Sequence, residues 1–251
     1  MSYQTKNIIS GAAALYFSTL SSDDESWAGS VELPAYDPAV SMRDTLEEDA
    51  GWQSAGFTME GVEVEYTPEF KDVEVDQLLD AASIYKTSQT LSVNTTLAEG
   101  TLENLQIVWA MPADALAAFS THTTGFGGDT LVAGDKELGI AGGSLGDAPI
   151  ERSLAFVGSA PRKQGRKAER VYHLRRVLQT ESSSFGLRRA EETVFPVSFR
   201  CMPDPSYVDA EYGTFRDRVY AAGGGRVNPV VKEPVVDDPT TPEDESELNA
   251  P

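Results

Sequence analysis

Cysteine and histidine are nearly absent from this chain of 251 residues, which contains Cys201 as its one cysteine and His122 and His173 as its two histidines. A single cysteine excludes an intrachain disulfide and every CxxC zinc or redox motif. Two histidines leave little material for a metal centre or a catalytic triad. The composition therefore predicts a protein that is not an enzyme and that holds no metal or cofactor.

Basic side chains are also scarce, with 20 Lys and Arg against 40 Asp and Glu and a formal net charge of −20. This balance argues against wrapping of nucleic acid, because phosphate binding requires clustered Lys and Arg. Residues 150–200 are the exception, with 11 basic and 5 acidic side chains. This segment either meets the acidic surface of another copy or neutralises its own neighbours. The candidate cations for contacts between subunits are Arg162, Lys163, Arg166, Lys167, Arg175 and Arg176.

Long apolar runs are missing as well. No stretch reaches the ~18 apolar residues of a membrane span, and the N-terminus has neither the charged nor the uninterrupted apolar region of a signal peptide. We therefore expect no membrane association and no secretion.

The remaining composition is that of a folded domain followed by a tail. Apolar residues make up 40% of the chain, which is enough for a core. Residues 223–251 are rich in proline and acids, so we expect a disordered tail that folding of residues 1–222 does not need. Within that domain, 21–54 has the composition of a long loop. The glycine-rich segment 125–146 lacks phosphate-loop spacing and predicts a flexible insertion or a long hairpin.

Alternating apolar and polar residues predict a mostly β or α+β protein, with a β-sandwich as the expected architecture. Segments 57–66 and 70–77 both alternate, and Thr67-Pro68-Glu69 between them predicts a hairpin turn. Pro196 predicts an edge or a bulge in its strand. The other predicted strands are 14–17, 88–96, 153–157, 171–179 and 194–202.

One helix is expected within 97–110, where Thr101 can cap the N-terminus. Its wide apolar face would consist of Leu102, Leu105, Ile107, Val108 and Trp109. Residues 114–119 could continue as a second short helix.

Four acids alternate with the valines of the predicted hairpin, so that each acid directly follows a valine. Such a set could be a calcium site or an acid–base pair, but the water-facing side of a hairpin is the simpler interpretation. His173 and Cys201 both lie in predicted strands, where a structural role is favoured for each. The four acids are Glu63, Glu65, Glu74 and Asp76.

The order of these pieces resembles a known family. The segments are GVEVEYTPE at 61–69, VEVDQ at 73–77, SVNTTLAE at 92–99, TLENL at 101–105 and FPVSFR at 195–200. Together they resemble the major tail protein, or tail tube protein, of long-tailed bacteriophages, especially those of actinobacteria. The resemblance covers about residues 8–220 and includes no catalytic signature.

The resemblance implies a β-sandwich with one flanking α-helix that assembles as hexameric rings, which stack into the tube through which the genome passes. It further implies a location in the virion tail after assembly in the host cytoplasm. The implied partners are other copies of the chain and the tape-measure, terminator and distal tail proteins. DNA would pass through the lumen without specific binding, along a wall formed by Glu63, Glu65, Glu74 and Asp76. The alternatives are a carbohydrate- or cell-surface-binding β-sandwich and, less favoured, a metal-dependent hydrolase.

Overall fold

The computed structural model describes residues 9, 11–74, 76, 80–119, 123–161, 166–187, 189 and 192–221. These residues form antiparallel β-structure and two α-helices, which confirms a mostly β protein. The predicted tail 223–251 lies outside the described residues. The helices are α1 (Met42–Glu48) and α2 (Leu102–Val108). The strands are β1 (Ala14–Ser21), β2 (Trp52–Ser54), β3 (Thr58–Val73), β4 (Ser83–Leu97), β5 (Leu116–Ala118), β6 (Lys136–Leu138), β7 (Arg152–Ser159), β8 (Ala168–Gln179), β9 (Phe195–Met202) and β10 (Gly213–Val219).

Eight of these strands form one sheet in the order β2-β1-β7-β8-β9-β4-β3, with β10 paired to β8 outside this path. Strand β8 is long enough to pair with two different strands at different parts of its length. Its residues 168–174 pair with β10, and its residues 176–179 pair with β9. The described strands therefore join in a single eight-stranded sheet, where two packed sheets were expected, and only β5 and β6 stand apart.

Apolar side chains cover both faces of the middle of this sheet. On one face, Leu15 and Phe17 of β1 pack in a cluster that includes Val108 of α2. On the other face, Tyr16 of the same strand packs against Leu46 of α1. Alternation along β1 thus supplies two cores, because successive side chains point to opposite faces. The expectation of one flanking helix is wrong, since a second helix, within the predicted loop 21–54, covers the second face.

Helix α2 begins after the predicted cap Thr101 but is shorter than the predicted segment 97–110, whose first residue, Leu97, ends β4. The Oγ1 atom of Thr101 accepts a hydrogen bond from the backbone N–H of Asn104 at 3.2 Å, which satisfies one of the free donors at the helix N-terminus. Residues 114–119 do not continue as an α-helix. A single 3₁₀ turn, Ala113–Ala115, leads into β5, which pairs with β6 inside the glycine-rich segment.

The predicted hairpin turn at 67–69 is wrong. Strand β3 runs without a break from Thr58 to Val73, and Pro68 within it lies opposite Gln89 of β4. Among the described residues β3 pairs with β4 alone, so it is an edge strand. An edge strand tolerates proline, because the missing N–H can fall on the unpaired side. Pro196 is tolerated for the same reason. At this position β9 pairs with β4, but β8 has already ended, so the other side of β9 has no strand beside it among the described residues.

Neither of the two helices in the described part of the chain has the length or the apolar composition needed to cross a membrane.

Candidate assembly surface

A two-stranded ribbon extends from the end of the sheet. Strand β4 pairs with β9 only over residues 92–97, so the rest of β4 has β3 as its one neighbour among the described residues. We call residues 66–73 and 83–91 the arm. At ~3.3 Å per residue, the longer of its two strand segments, residues 83–91, spans about 26 Å. All side chains of 83–88 are exposed, as are those of 69–73.

One face of the arm carries large apolar side chains, together with Asp72 and with Lys86, which lies opposite Phe70. Val62 and Val64 of β3 are half-buried against the core cluster under α2. The period of two carries the same face outward to Tyr66 and Phe70, whose exposed fractions are 54% and 61%. Ile84, opposite Asp72 on β4, belongs to this face and is 63% exposed. The face that packs on the core inside the domain therefore continues into solvent along the arm.

The opposite face carries acids and hydroxyl groups near the body, and Lys71 and Tyr85 further along the arm. Thr67 Oγ1 donates a hydrogen bond to Glu65 Oε1 at 3.3 Å, and Ser88 Oγ donates to Glu69 Oε2 at 2.6 Å. Glu63, next along this face toward the body, lines a shallow cleft of about 420 Å³ with Asn94, Ser198 and neighbouring polar groups. The predicted separation of acids from Val62 and Val64 is therefore present in the structure.

The four predicted acids do not form one patch. Glu63 and Glu65 lie side by side near the body, whereas Glu74 and Asp76 follow the end of β3 at the tip of the arm. Glu74 is eleven positions after Glu63 in the chain, which corresponds to about 36 Å along a strand. The valines also divide, because Val73 is 39% exposed. Val75 lies outside the described residues. The cause of both corrections is the misplaced turn, which had folded one long strand back on itself.

An exposed apolar face on a ribbon of this kind is unusual for a protein that acts alone. Isolated two-stranded ribbons are marginally stable in water, and monomers rarely expose continuous apolar surface. The arm therefore has the properties of a surface that another molecule covers.

Two of the six candidate cations are engaged within the chain. The guanidinium of Arg175 is buried, lies 3.2 Å from the centre of the Tyr207 ring and pairs with Glu32. Arg176 forms a two-pronged ion pair with Glu151, with N–O distances of 2.6 and 2.8 Å. For these two residues the alternative of neutralising their own neighbours describes the structure. The other candidates comprise Arg166 and Lys167, which are exposed, and Arg162 and Lys163, which lie outside the described residues.

A buried charge cluster that the sequence did not reveal lies between β8, β10 and α1. The carboxylate of Glu169 accepts hydrogen bonds from Ser41 Oγ at 3.0 Å, from the backbone N–H of Met42 at 3.0 Å and from Tyr220 Oη at 2.7 Å. Burial raises the pKa of Tyr220 above its ordinary value, and the hydrogen bond to Glu169 raises it further. In the sequence, the one signal for this cluster was the alternation of side chains around Val171, which places Glu169 on a face with buried side chains.

Arg218 completes this cluster from β10, where it lies opposite Glu169. Its Nη1 is 3.9 Å from Glu169 Oε1, and its guanidinium lies 3.2 Å from the centre of the Tyr36 ring. Burial lowers the pKa of Arg218. Its Nη2 atom is buried and has no hydrogen-bond partner in the described part of the chain. Such an orphaned donor costs about 1–3 kcal/mol.

His173 and Cys201 are both buried in strands, as predicted. The Nε2 atom of His173 lies 2.9 Å from the carbonyl oxygen of Val31, and burial lowers the pKa of this imidazole. Burial raises the pKa of the Cys201 thiol to about 12, so this thiol is protonated near neutral pH. In the described part of the chain, no three or more His, Cys, Asp or Glu side chains are grouped so that they could hold a metal ion. His122 lies outside it.

No protein-family model matches this sequence, and a search of curated proteins gives no match. The arm and the buried charge cluster are therefore interpreted from their own physical chemistry.

Proposed function

We propose that this chain is a self-assembling structural subunit of the tail-tube kind, which polymerises as stacked hexameric rings to form a channel for genome delivery. The observation that carries the proposal is the two-faced arm. Its apolar side continues the core face of the domain into solvent, and its other side carries Glu65 and Glu69.

Association with copies of the same chain supplies what the arm needs. A neighbour that covers Tyr66, Phe70 and Ile84 removes apolar surface from water, at about 25 cal/mol per Å². The outer edge of β3 also has unpaired backbone groups among the described residues. Closed rings satisfy such edges, whereas an isolated chain leaves them as sites for uncontrolled pairing.

The same packing would turn the acidic face of each arm toward the channel. With the apolar side on a neighbour, Glu63 and Glu65 remain in water. A ring of such carboxylates would repel the phosphate backbone, so that DNA could move through the lumen without adhering. In this role the chain would have no catalytic activity and no cofactor. Its partners would be other copies, the tape-measure, terminator and distal tail proteins, and DNA in transit within a virion tail.

Electron microscopy of the purified full-length protein tests the proposal. We expect rings or tubes from the native chain and their loss in the double variant Phe70→Glu/Ile84→Glu, which places charge on the apolar face of the arm. The matched control is Val208→Glu, which adds charge at another exposed apolar residue (91% exposed) away from the arm. Its assemblies should resemble those of the native chain.

Two outcomes would overturn the assignment. One is a native chain that stays monomeric over a wide concentration range and binds glycans in a direct binding assay, which would favour the carbohydrate-binding alternative. The other is normal assembly of the Phe70→Glu/Ile84→Glu variant with unchanged circular dichroism, which would show that the arm does not lie in the interface.

A further inference from the structure

A cleft of about 260 Å³ lies beside the buried charge cluster, on the face of the sheet that α1 covers. Thr214, Arg216 and Arg218 of β10 share one face by their spacing, and His173 and Arg175 of β8 continue it. Tyr36, from the loop before α1, lines the cleft on the other side. Three arginines thus meet in one concave site of a chain whose net charge is −20.

The cleft offers donors that the described residues leave unused. Arg175 already pairs with Glu32, and Arg218 forms a longer ion pair with Glu169, with 3.9 Å between Nη1 and Oε1. Arg216, in contrast, is exposed, and the described part of the chain offers it no acidic partner. The Nη2 atom of Arg218 has no hydrogen-bond partner among the described residues, but it is buried, so Arg218 contributes positive charge behind Arg216 rather than an accessible donor. Guanidinium groups arranged in this way suit a carboxylate, which can accept two parallel N–H bonds.

We propose that this cleft binds carboxylates of the acidic C-terminal segment 233–247 of its own chain. This inference stands apart from the assembly proposed above, since it concerns a different face of the sheet. Seven acids lie in that segment against no basic residue: Glu233, Asp237, Asp238, Glu243, Asp244, Glu245 and Glu247.

The end of the described chain lies at the edge of the cleft. The backbone N–H of Ala221 donates to the carbonyl oxygen of Pro38 at 2.9 Å, two residues from Tyr36 in the cleft wall. Thirty residues follow Ala221, beginning with Ala222 and three glycines that permit a reversal of direction.

The length of that segment is sufficient for it to return. Arg216 lies five residues before Ala221, a distance of about 17 Å along a strand. Glu243 is 22 residues beyond Ala221, for which a flexible chain has a typical end-to-end distance of about 26 Å. Tethering at this range holds the carboxylates near the arginines at a high effective concentration. An acidic segment is therefore always available to a cleft that has guanidinium groups to satisfy.

Electron paramagnetic resonance of a nitroxide label in the full-length chain tests the proposal. The label is placed at Ser246→Cys, and Cys201 stays unmodified because its thiol is buried and protonated. Line shape reports the local mobility of the tail, whether or not the chains assemble. We expect an immobilised component in the otherwise native chain. Replacing the seven acids of 233–247 by their amides should reduce this component at least fivefold.

Arg216→Glu should have the same effect, because it reverses the charge at the mouth of the cleft while leaving the buried cations in place. The matched control is Arg200→Glu, an exposed arginine of β9 that pairs with Ser92 of β4 and does not line the cleft, which should leave the immobilised component unchanged. Inorganic phosphate should displace the tail more effectively than chloride at equal ionic strength, since the cleft recognises an oxyanion.

Mixing distinguishes the two sources of the tail. The labelled Arg216→Glu chain is mixed with unlabelled native chain: immobilisation of its tail shows docking in a second copy, and continued mobility shows docking within one chain. Continued mobility therefore supports the proposal, whereas immobilisation would assign the cleft to the tail of a second copy and overturn docking within one chain. A native tail that is fully mobile, or one that is immobilised equally in the Arg216→Glu variant alone, would overturn it.

Discussion

The rings of Phe17 and Phe199 lie 5.3 Å apart, centroid to centroid, although β7 and β8 separate their strands in the sheet. Neighbouring strands are ~4.8 Å apart, so three steps across a flat sheet would place β1 and β9 about 14 Å from each other. The contact is made because the sheet curls toward the face that α2 covers. The core cluster under α2 is thus enclosed by one curved sheet and closed by a helix.

The first prediction concerns this contact. Phe199→Ala removes a buried ring, at 3% exposure, from a site bounded by several strands that cannot readily collapse. We expect the free energy of unfolding to fall by about 3–5 kcal/mol. Urea denaturation measures it. Phe57→Ala is the control, because Phe57 is 77% exposed and its loss should change stability by no more than about 0.5 kcal/mol. Equal effects of the two variants would contradict the curved-sheet core.

The second prediction concerns the buried charge cluster. Glu169→Gln removes the carboxylate that faces buried Arg218 among the described residues, and we expect the free energy of unfolding to fall by about 3–5 kcal/mol. Glu48→Gln, at an exposed position of α1, should have little effect. Adding Arg218→Met to Glu169→Gln should restore part of the loss, because the unpaired charge is then removed as well. A double variant that is less stable than Glu169→Gln alone would show that Arg218 does not depend on Glu169.

Stability should also depend on pH through His173. Burial lowers the pKa of this imidazole in the folded state, so the unfolded chain binds more protons as the pH falls through ~6.5. The contribution of His173 to the free energy of unfolding is therefore complete above that pH and decreases below it. The decrease is at most about 1.4 kcal/mol per pH unit for one proton.

Urea denaturation at pH 7.5 and pH 5.5 measures this effect. The charged groups that act on the His173 imidazole are Glu32 and Arg175, and the pKa of Glu32 is lowered, so Glu32 keeps its charge over this range. In the His173→Gln variant the difference between the two pH values should shrink. A native chain with the same stability at both values would show that His173 is protonated in the folded state.

Strand positions followed from the sequence because alternation is a local property. Periods of two located β4, β7, β8 and β9, and the Thr101 cap located α2. The turn at 67–69 failed because proline marks both turns and edge strands. Which of the two applies depends on whether a second strand lies alongside, and a single sequence does not contain that information.

The missed elements depend on contacts between distant parts of the chain. Helix α1 has seven residues and two buried side chains, Met42 and Leu46, which is too short a pattern to distinguish from loop. Its position is stabilised by Glu169, whose carboxylate binds the backbone N–H of Met42 from 127 residues away. The two-faced arm was foreseen only in part. Val62 and Glu63 showed the alternation, but nothing indicated that the apolar face would leave the core at Tyr66.

The last prediction concerns the acids that the proposed assembly would place in the lumen. The double variant Glu63→Lys/Glu65→Lys reverses the charge on the acidic face, where both side chains are exposed, and should leave the fold intact. Tubes should still form, because the apolar face of the arm is unchanged. Positive charge along the wall would then hold DNA by its phosphates, so we expect retained DNA or slow ejection in a particle-based assay. Glu74→Lys/Asp76→Lys, at the tip of the arm, is the matched comparison. Normal ejection from tubes of the first variant would contradict the lumen assignment, whereas loss of assembly would place Glu63 and Glu65 in a contact between subunits.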